Sequence, residues 1–176
     1  YAPTEAAADD VKAEFYQQLQ NVFDEVGGHD RLIVLGDFNA RVGADNARWP
    51  GVIGSQGLDD LNNNGGLLLD ICAQNEMSVM GTWFQHKKIH QVTWLHPDGV
   101  HGGQIDHIIT RQRDRRDIQD VRVYRGADIS TSHCLVVAEV KMKFKMHRKK
   151  RGLGKFDDAR LKEPATRGRF EQEVGS

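Results

Sequence analysis

Residues 31–39 read Arg-Leu-Ile-Val-Leu-Gly-Asp-Phe-Asn, and they constrain the fold more tightly than any other stretch. The consecutive apolar residues Leu32, Ile33, Val34 and Leu35 predict a strand buried on both faces of a sheet. Gly36 ends that strand. Asp37 and Asn39 then lie two residues apart, where the period of a strand points both side chains the same way. A carboxylate can take a proton from water, and a neighbouring carboxamide can donate to a developing negative charge. The same residues also suit an Asx-rich turn that caps the next element. On this stretch alone both readings stand.

A chain of 176 residues is long enough for one domain with a real core. It begins with Tyr1 rather than Met, so it reads as a fragment or a processed piece. It has no secretory apolar region and no run of about 18 apolar residues, so no membrane span is expected. Cys72 and Cys134 read as buried thiols with no disulfide framework, which suits a reducing, nuclear or cytoplasmic compartment. The net charge of −1 hides an asymmetry. Residues 141–176 carry 12 Lys and Arg against 5 Asp and Glu, whereas the rest carries 12 against 20. An acidic body with a basic extension fits a metal-using domain leading into a segment that faces nucleic acid. An ordinary solvated tail has the same composition.

Helices and strands interleave along the chain, so the fold class is α/β. Thr4 can cap a first helix whose apolar stripe is Val11, Phe15, Leu19, Val22 and Val26, stopped by Gly27-Gly28. A long Gly/Asn/Asp-rich loop over residues 41–63 hints at function or at irregular local packing. A second helix starts near Asn64 and stops at Asn75, and residues 77–80 make a short strand. Residues 91–95 and 104–109 read as two strands of one hairpin across the turn His96-Pro-Asp-Gly99. Strands follow at 118–124 and 134–144, the latter alternating Val140, Met142 and Phe144 with lysines. A basic linker and a helix over 156–174 close the chain, giving domains of 1–145 and 146–176.

Besides Asp37 and Asn39, the positions Tyr1, Asp106 and His133 stand out. Asp106 lies inside the apolar run Ile105-Asp-His-Ile-Ile109, where a carboxylate is costly unless it is paired. His133 stands where a polar loop enters the last buried strand. If those strands are neighbours, Asp106 accepts from one ring nitrogen and leaves the other to meet a phosphate.

Tyr-x-Pro, Gly-Asp-Phe-Asn, Gln-Ile-Asp-His-Ile and Ser-His before a terminal strand, in that order, resemble the endonuclease/exonuclease/phosphatase family. Asn62-x-Asn-Gly65, Thr82-x-Phe-x-His-Lys87, Thr93-Trp94, Pro97-Asp-Gly99 and Gly126-Ala-Asp128 look like endonuclease domains of RTE-type non-LTR retrotransposons. Domesticated relatives, the craniofacial development protein 2-like sequences, share that pattern. The resemblance covers roughly residues 1–145, and the stretch 156–174 resembles the segment joining endonuclease to reverse transcriptase. It implies a four-layer α/β sandwich that hydrolyses phosphodiesters of DNA with Mg²⁺ or Mn²⁺. By position, Tyr1 is similar to the tyrosine that contacts the scissile phosphate or neighbouring charge. Asp37 matches the residue that positions or deprotonates water, and Asn39 the one that hydrogen-bonds the transition state. Asp37 and Asn39 are also the expected metal ligands. Asp106 and His133 match the aspartate that orients a histidine on the phosphate, and that histidine.

Two departures bear on activity. The front half of the family fold, with an asparagine and a metal-binding glutamate, is expected before Tyr1, and Glu5 and Glu14 lie on the wrong element to replace it. Ser132 stands where the family carries a carboxylate near the metal. The chain as given is therefore expected to be inactive, with a DNA- or chromatin-binding module of the same fold as the rival reading. A phosphatase of inositol phosphates or lipids is a third. Gly103 replaces the bulky aromatic of abasic-site relatives, which favours ordinary duplex DNA, with Lys87, Lys88, Arg111 and Arg113 as phosphate contacts or as solvated charges. A zinc site at His86 and His90 lacks cysteine partners. Trp83 and Trp94 read as core aromatics.

Overall fold

The computed structural model describes residues 1–58, 60–126, 131–141 and 162–174. The chain divides into two units, residues 1–142 and 143–176. The first runs α1 (Asp9–Glu25), β1 (Ile33–Asp37), α2 (Asn63–Gln74), β2 (Met77–Val79), β3 (Trp94–Leu95), β4 (Gly102–Gly103), β5 (Asp106–Arg111), β6 (Ile118–Tyr124) and β7 (Leu135–Val140). In the second, α3 (Pro164–Val174) opens on a proline, whose missing N–H costs nothing at a first helical position.

β5 is the middle strand of an antiparallel sheet ordered β1-β5-β2. Its alternating side chains serve two cores. Ile109 faces α1 and α2, joining Phe23, Leu68, Leu69, Cys72 and Met77. Ile108 faces the other way and meets Ile118 and Val121 of β6 with Val136 and Ala138 of β7. The sheet therefore has helices on one face and the β6–β7 ribbon on the other. Leu68 and Leu69 are fully buried, each contributing roughly 1.5–3 kcal/mol through burial. Burial also pushes the Cys72 thiol up to about 12.

Several expectations change at this level. β1 is paired only with β5, so it is an edge strand among the described residues. Leu35 is 66% exposed, and the strand continues through Gly36 to Asp37 instead of ending there. α1 begins at Asp9 after Ala8 and carries no side-chain cap, so Thr4 does not start it. Its buried face is Lys12, Phe15, Tyr16, Leu19 and Phe23, with Val11 and Val22 exposed. Lys12 is buried because its ammonium donates to the Glu5 carbonyl at 2.7 Å. The loop after Asn39 is built by packing, since Ala40, Val42, Val52 and Ile53 are all buried.

The expected hairpin is shorter than its two strands suggested. β3 pairs with β4, Trp94 opposite Gly103, while β5 leaves for the other sheet. Cys134 is half-buried. Met142, Phe144, Asp128, the basic run 145–151 and residues 156–161 lie outside the described residues.

Candidate active site

The register of β1 against β5 sets Asp37 directly opposite Asp106, and opposed residues of an antiparallel pair project from the same face. Two carboxylates thus meet at one end of the sheet. His133 reaches them from the other layer because its neighbours are stitched to β3. The Cys134 N–H donates to the Thr93 carbonyl at 2.7 Å, and the Leu95 N–H donates to the Ser132 carbonyl at 2.8 Å. His133 Nδ1 then lies 3.1 Å from both Asp106 oxygens. Its Nε2 lies 3.9 Å from Asp37 Oδ2. A ring whose Nδ1 proton is committed to Asp106 presents Nε2 to a ligand.

Asp37 makes the Asx turn its sequence allowed and also faces His133. Its Oδ1 accepts the Asn39 N–H at 2.9 Å, which is an Asx turn, and its Oδ2 faces His133. Burial pushes its carboxyl above the ordinary range. The Asn39 N–H pulls it down, Asp106 pushes it up and His133 pulls it down, each by less.

Asn39 stands in the left-handed region at φ 48°, a conformation asparagine tolerates better than most residues, so strand periodicity does not govern it. Its amide donates to the Ala2 carbonyl at 2.9 Å. Its backbone carbonyl accepts from Asn62 and Asn64, each at 3.2 Å. Asn62 Oδ1 also caps α2 by accepting from Gly65 N at 2.8 Å, and it accepts from Arg41 N at 2.8 Å. Gly65 is needed there because a Cβ would collide with the Arg41 carbonyl. Glu5 takes the Asn63 and Asn64 N–H groups at the same helix start, each at 3.2 Å.

Neutral residues therefore do much of the positioning. Thr93 is buried, and its hydroxyl accepts the N–H groups of Ile105 at 3.0 Å and Asp106 at 3.1 Å. Thr93, Asn62 and Asn64 carry no charge that would mark them in the sequence; only their place in the family pattern singles them out. Tyr1 is not brought into the cluster. The residue is 99% exposed, although the next one, Ala2, donates from its backbone N–H to the Asp37 carbonyl at 3.0 Å. Trp94 is not the core residue expected; it lines the pocket in front of His133.

Asp37, Asp106 and His133 each offer one ligand atom, all within 4.8 Å of one another. Asp106 is engaged by His133 through both oxygens, which leaves Asp37 as the freer carboxylate of the group. Mg²⁺ is commonly held by one or two carboxylates together with water and substrate phosphate. The two carboxylates and the histidine of this group are donors that a divalent cation accepts. His86 instead meets Asp120 at 2.7 Å and His90 meets the Val123 carbonyl at 3.1 Å, so the two do not share a zinc site.

Two expected phosphate contacts are otherwise employed. Arg111 donates to the Val26 carbonyl at 3.1 Å, and Arg113 to the carbonyls of Gly28 and Asp30. They fasten the α1–β1 connection, and Arg111 lies at the far end of β5, about 17 Å from Asp106 at strand spacing. His107, beside Asp106, is also structural. It is 2% exposed and donates from Nε2 to the Ala40 carbonyl at 2.7 Å, and burial lowers its pKa.

With that geometry in view, the similarities to known proteins are specific. The chain is 36% identical over 146 residues to craniofacial development protein 2 of Bos taurus, covering 83% of this chain and 24% of that protein. It is 36% identical over 162 residues to the Tragulus javanicus protein of the same name, covering 90% and 28%. The chain thus spans about a quarter of the length of these curated relatives. No protein-family model matches it. In fold it is similar to the 3′ phosphatase NExo from Neisseria bound to product DNA hairpin, with TM-score 0.56 and 20% identity, covering 81% of this chain and 59% of that one. The 3′-5′ exonuclease NExo from Neisseria meningitidis gives TM-score 0.53 and 21% identity, covering 76% and 54%. The endonuclease domain of TRAS1, a telomere-specific non-LTR retrotransposon, gives 0.50 and 17%, covering 75% and 52%.

Proposed function

We propose, from the premise that the chain is homologous to craniofacial development protein 2 and has a fold of the endonuclease/exonuclease/phosphatase type, that it is the C-terminal portion of a DNA endonuclease domain of retrotransposon origin. The reaction is divalent-metal-dependent hydrolysis of a phosphodiester. In this reading residues 1–145 belong to a four-layer sandwich whose front half lies outside these 176 residues, and 146–176 form a basic linker and a helix. Duplex DNA is the partner, and the compartment is nuclear or cytoplasmic.

The observation that carries the reading is the His133–Asp106 pair, with Nε2 turned toward the Asp37 side of the sheet. In the reaction, water attacks phosphorus, the new P–O bond forms and the P–O bond to the leaving strand breaks, the leaving oxygen taking its proton from solvent. Asp37, whose Oδ2 faces His133 at the end of the sheet, takes the water proton. His133 Nε2 donates to a phosphate oxygen, with its other nitrogen fixed by Asp106. Asn39 has a second amide hydrogen beyond the one given to Ala2, and this donates to the developing charge. Tyr1 adds a contact to phosphate or to neighbouring charge. Asp37 and Asn39 would hold a divalent ion, whose chemistry when bound would be neutralisation of developing phosphoryl charge.

One observation favours the rival reading of a DNA- or chromatin-binding module without activity. The Ser132 hydroxyl is spent on Trp94, and it brings no carboxylate toward the metal. Cleavage of a labelled duplex oligonucleotide by this chain completed with a front half separates the two. Cleavage that needs Mg²⁺ or Mn²⁺ and stops with chelator supports the enzyme. Duplex binding without cleavage at any metal concentration supports the binder.

A further inference from the structure

The turn between β3 and β4 carries a side-chain cluster that the phosphodiesterase centre does not use. The register that sets Trp94 opposite Gly103 and Leu95 opposite Gly102 continues to His96 and His101, where the His96 N–H donates to the His101 carbonyl at 2.8 Å. Opposed residues of an antiparallel pair project from one face, with Cβ atoms about 4.5–5.5 Å apart. Two imidazoles therefore stand side by side at the end of the hairpin, their ring centroids 6.4 Å apart.

Asp98 lies between them and is aimed by the turn. Its Oδ1 accepts the N–H groups of Val100 at 2.9 Å and His101 at 3.0 Å, which leaves Oδ2 to the rings. His101 Nδ1 lies 2.6 Å from Oδ2, and His96 Nδ1 lies 3.0 Å from it. The Asp98 N–H also points at His96 Nδ1, at 3.3 Å. A ring nitrogen that accepts this N–H turns a lone pair toward a carboxylate oxygen, and two acceptors in contact repel. A proton or a metal ion between them makes the contact favourable.

The donor set selects the metal. Two imidazoles and one carboxylate suit Zn²⁺, whereas Mg²⁺ keeps to oxygen ligands. Ligand atoms of a tetrahedral zinc lie about 3.3 Å apart at bond lengths of about 2.0–2.1 Å, close to both spacings around Oδ2. The side chains of His96 and His101 are 52% and 79% exposed, so turning the rings toward a common centre disturbs no core packing.

We propose that His96, Asp98 and His101 form a zinc site at the tip of the β3–β4 hairpin, with both Nδ1 atoms and Asp98 Oδ2 as ligands and the fourth position open to solvent. On binding, His101 Nδ1 gives up any proton it shares with Oδ2, and the neutral ring carries its hydrogen on Nε2. The inference goes beyond the DNA-hydrolase reading and does not rest on it, since Asp37, Asp106 and His133 form a separate group.

The test is a calorimetric titration of the complete chain with zinc chloride in excess Mg²⁺, alongside melts with and without zinc. The wild-type protein is expected to take up zinc at micromolar concentration and to melt at a higher temperature with it, as any ligand of the folded state requires. His96→Ala and His101→Ala are each expected to weaken uptake by more than about 10-fold, the lower end for losing even an outer-shell partner, and to remove the shift in Tm. Both residues are exposed, so both variants are expected to fold and to keep Mg²⁺-dependent cleavage. His133→Ala is expected to take up zinc as wild type does. Wild-type uptake only at millimolar zinc, unchanged uptake by the folded His96→Ala and His101→Ala proteins, or loss of uptake in His133→Ala would overturn the site. Zinc bound as expected by a protein that cleaves no DNA would support the site and count against the hydrolase reading alone.

Discussion

Burial raises the Asp37 carboxyl above the ordinary range, and that has a consequence for stability as well as for chemistry. The folded chain holds this proton more tightly than the unfolded chain does. As pH rises from the unfolded value near 4 through the raised folded value, stability is lost and is not regained above it. Asp37→Asn is therefore expected to raise Tm at neutral pH while reducing phosphodiester cleavage by at least about 100-fold, the scale of a lost general base. A thermal melt of both proteins at pH 5 and pH 8 checks it, and a lower Tm for the variant at pH 8 would contradict it. His107 works in the opposite sense. Its pKa is lowered by burial, so its share of stability is intact above the unfolded value near 6.5 and is lost as pH falls from there toward the folded value. His107→Gln is expected to flatten the pH dependence of unfolding below about 6.5. At this scale Asp106 was legible because a lone carboxylate in an apolar strand demands a partner, and His133 is that partner. Thr93 and Asn62 were not legible as positioning groups, because a neutral hydroxyl or amide acquires such a role only from the backbone groups folded around it.

The start of α2 shows how an element can carry a site it does not contain. Asn62 caps the helix and, with the same side chain, holds Arg41 and Asn39. Asn62→Ala is expected to cost about 0.5–2 kcal/mol as a lost cap, more if the Asn39 turn also relaxes. Urea unfolding with an unchanged m-value measures it, and a loss below about 0.3 kcal/mol would argue against the network. Arg113, just after β5, fastens the loop before β1, so Arg113→Ala is expected to lower stability and to leave the salt dependence of DNA binding unchanged. The helix and strand types were readable from periodicity, and α1 shows where that fails. Its apolar stripe and its true inner face differ by a small rotation, because Lys12 found an acceptor and could be buried. The pairing of β5 with β1 and not with β3 depended on a contact about 70 residues distant in sequence, which local pattern does not encode.

Across the first unit, β1 and β7 each lack a second neighbour among the described residues. An apolar cleft of about 580 Å³ opens between them, lined by Leu35, Ile108, Leu135 and Val136. Exposed edges flanking an apolar cleft favour association with other chains. The isolated 176-residue chain is expected to associate with rising concentration and to bind a hydrophobic dye, and the completed domain is not; sedimentation across a tenfold concentration range reads this. A sharp, concentration-independent two-state melt of the isolated chain would contradict it. The α/β class and the residues of the His133–Asp106 pair were visible in the sequence, whereas the edge position of β1 was hidden by its apolar run. The central claim is that Asp37, Asn39, Asp106 and His133 form a phosphodiesterase centre. The most direct test is nicking of supercoiled plasmid with Mg²⁺ by the chain completed with a front half, alongside its Asp37→Ala, His133→Ala and Ser132→Asp variants. Nicking that both alanine variants abolish and Ser132→Asp equals or exceeds is the expected result. A folded, completed chain that fails to nick, with Ser132→Asp failing too, would contradict the claim and leave a DNA-binding module in its place.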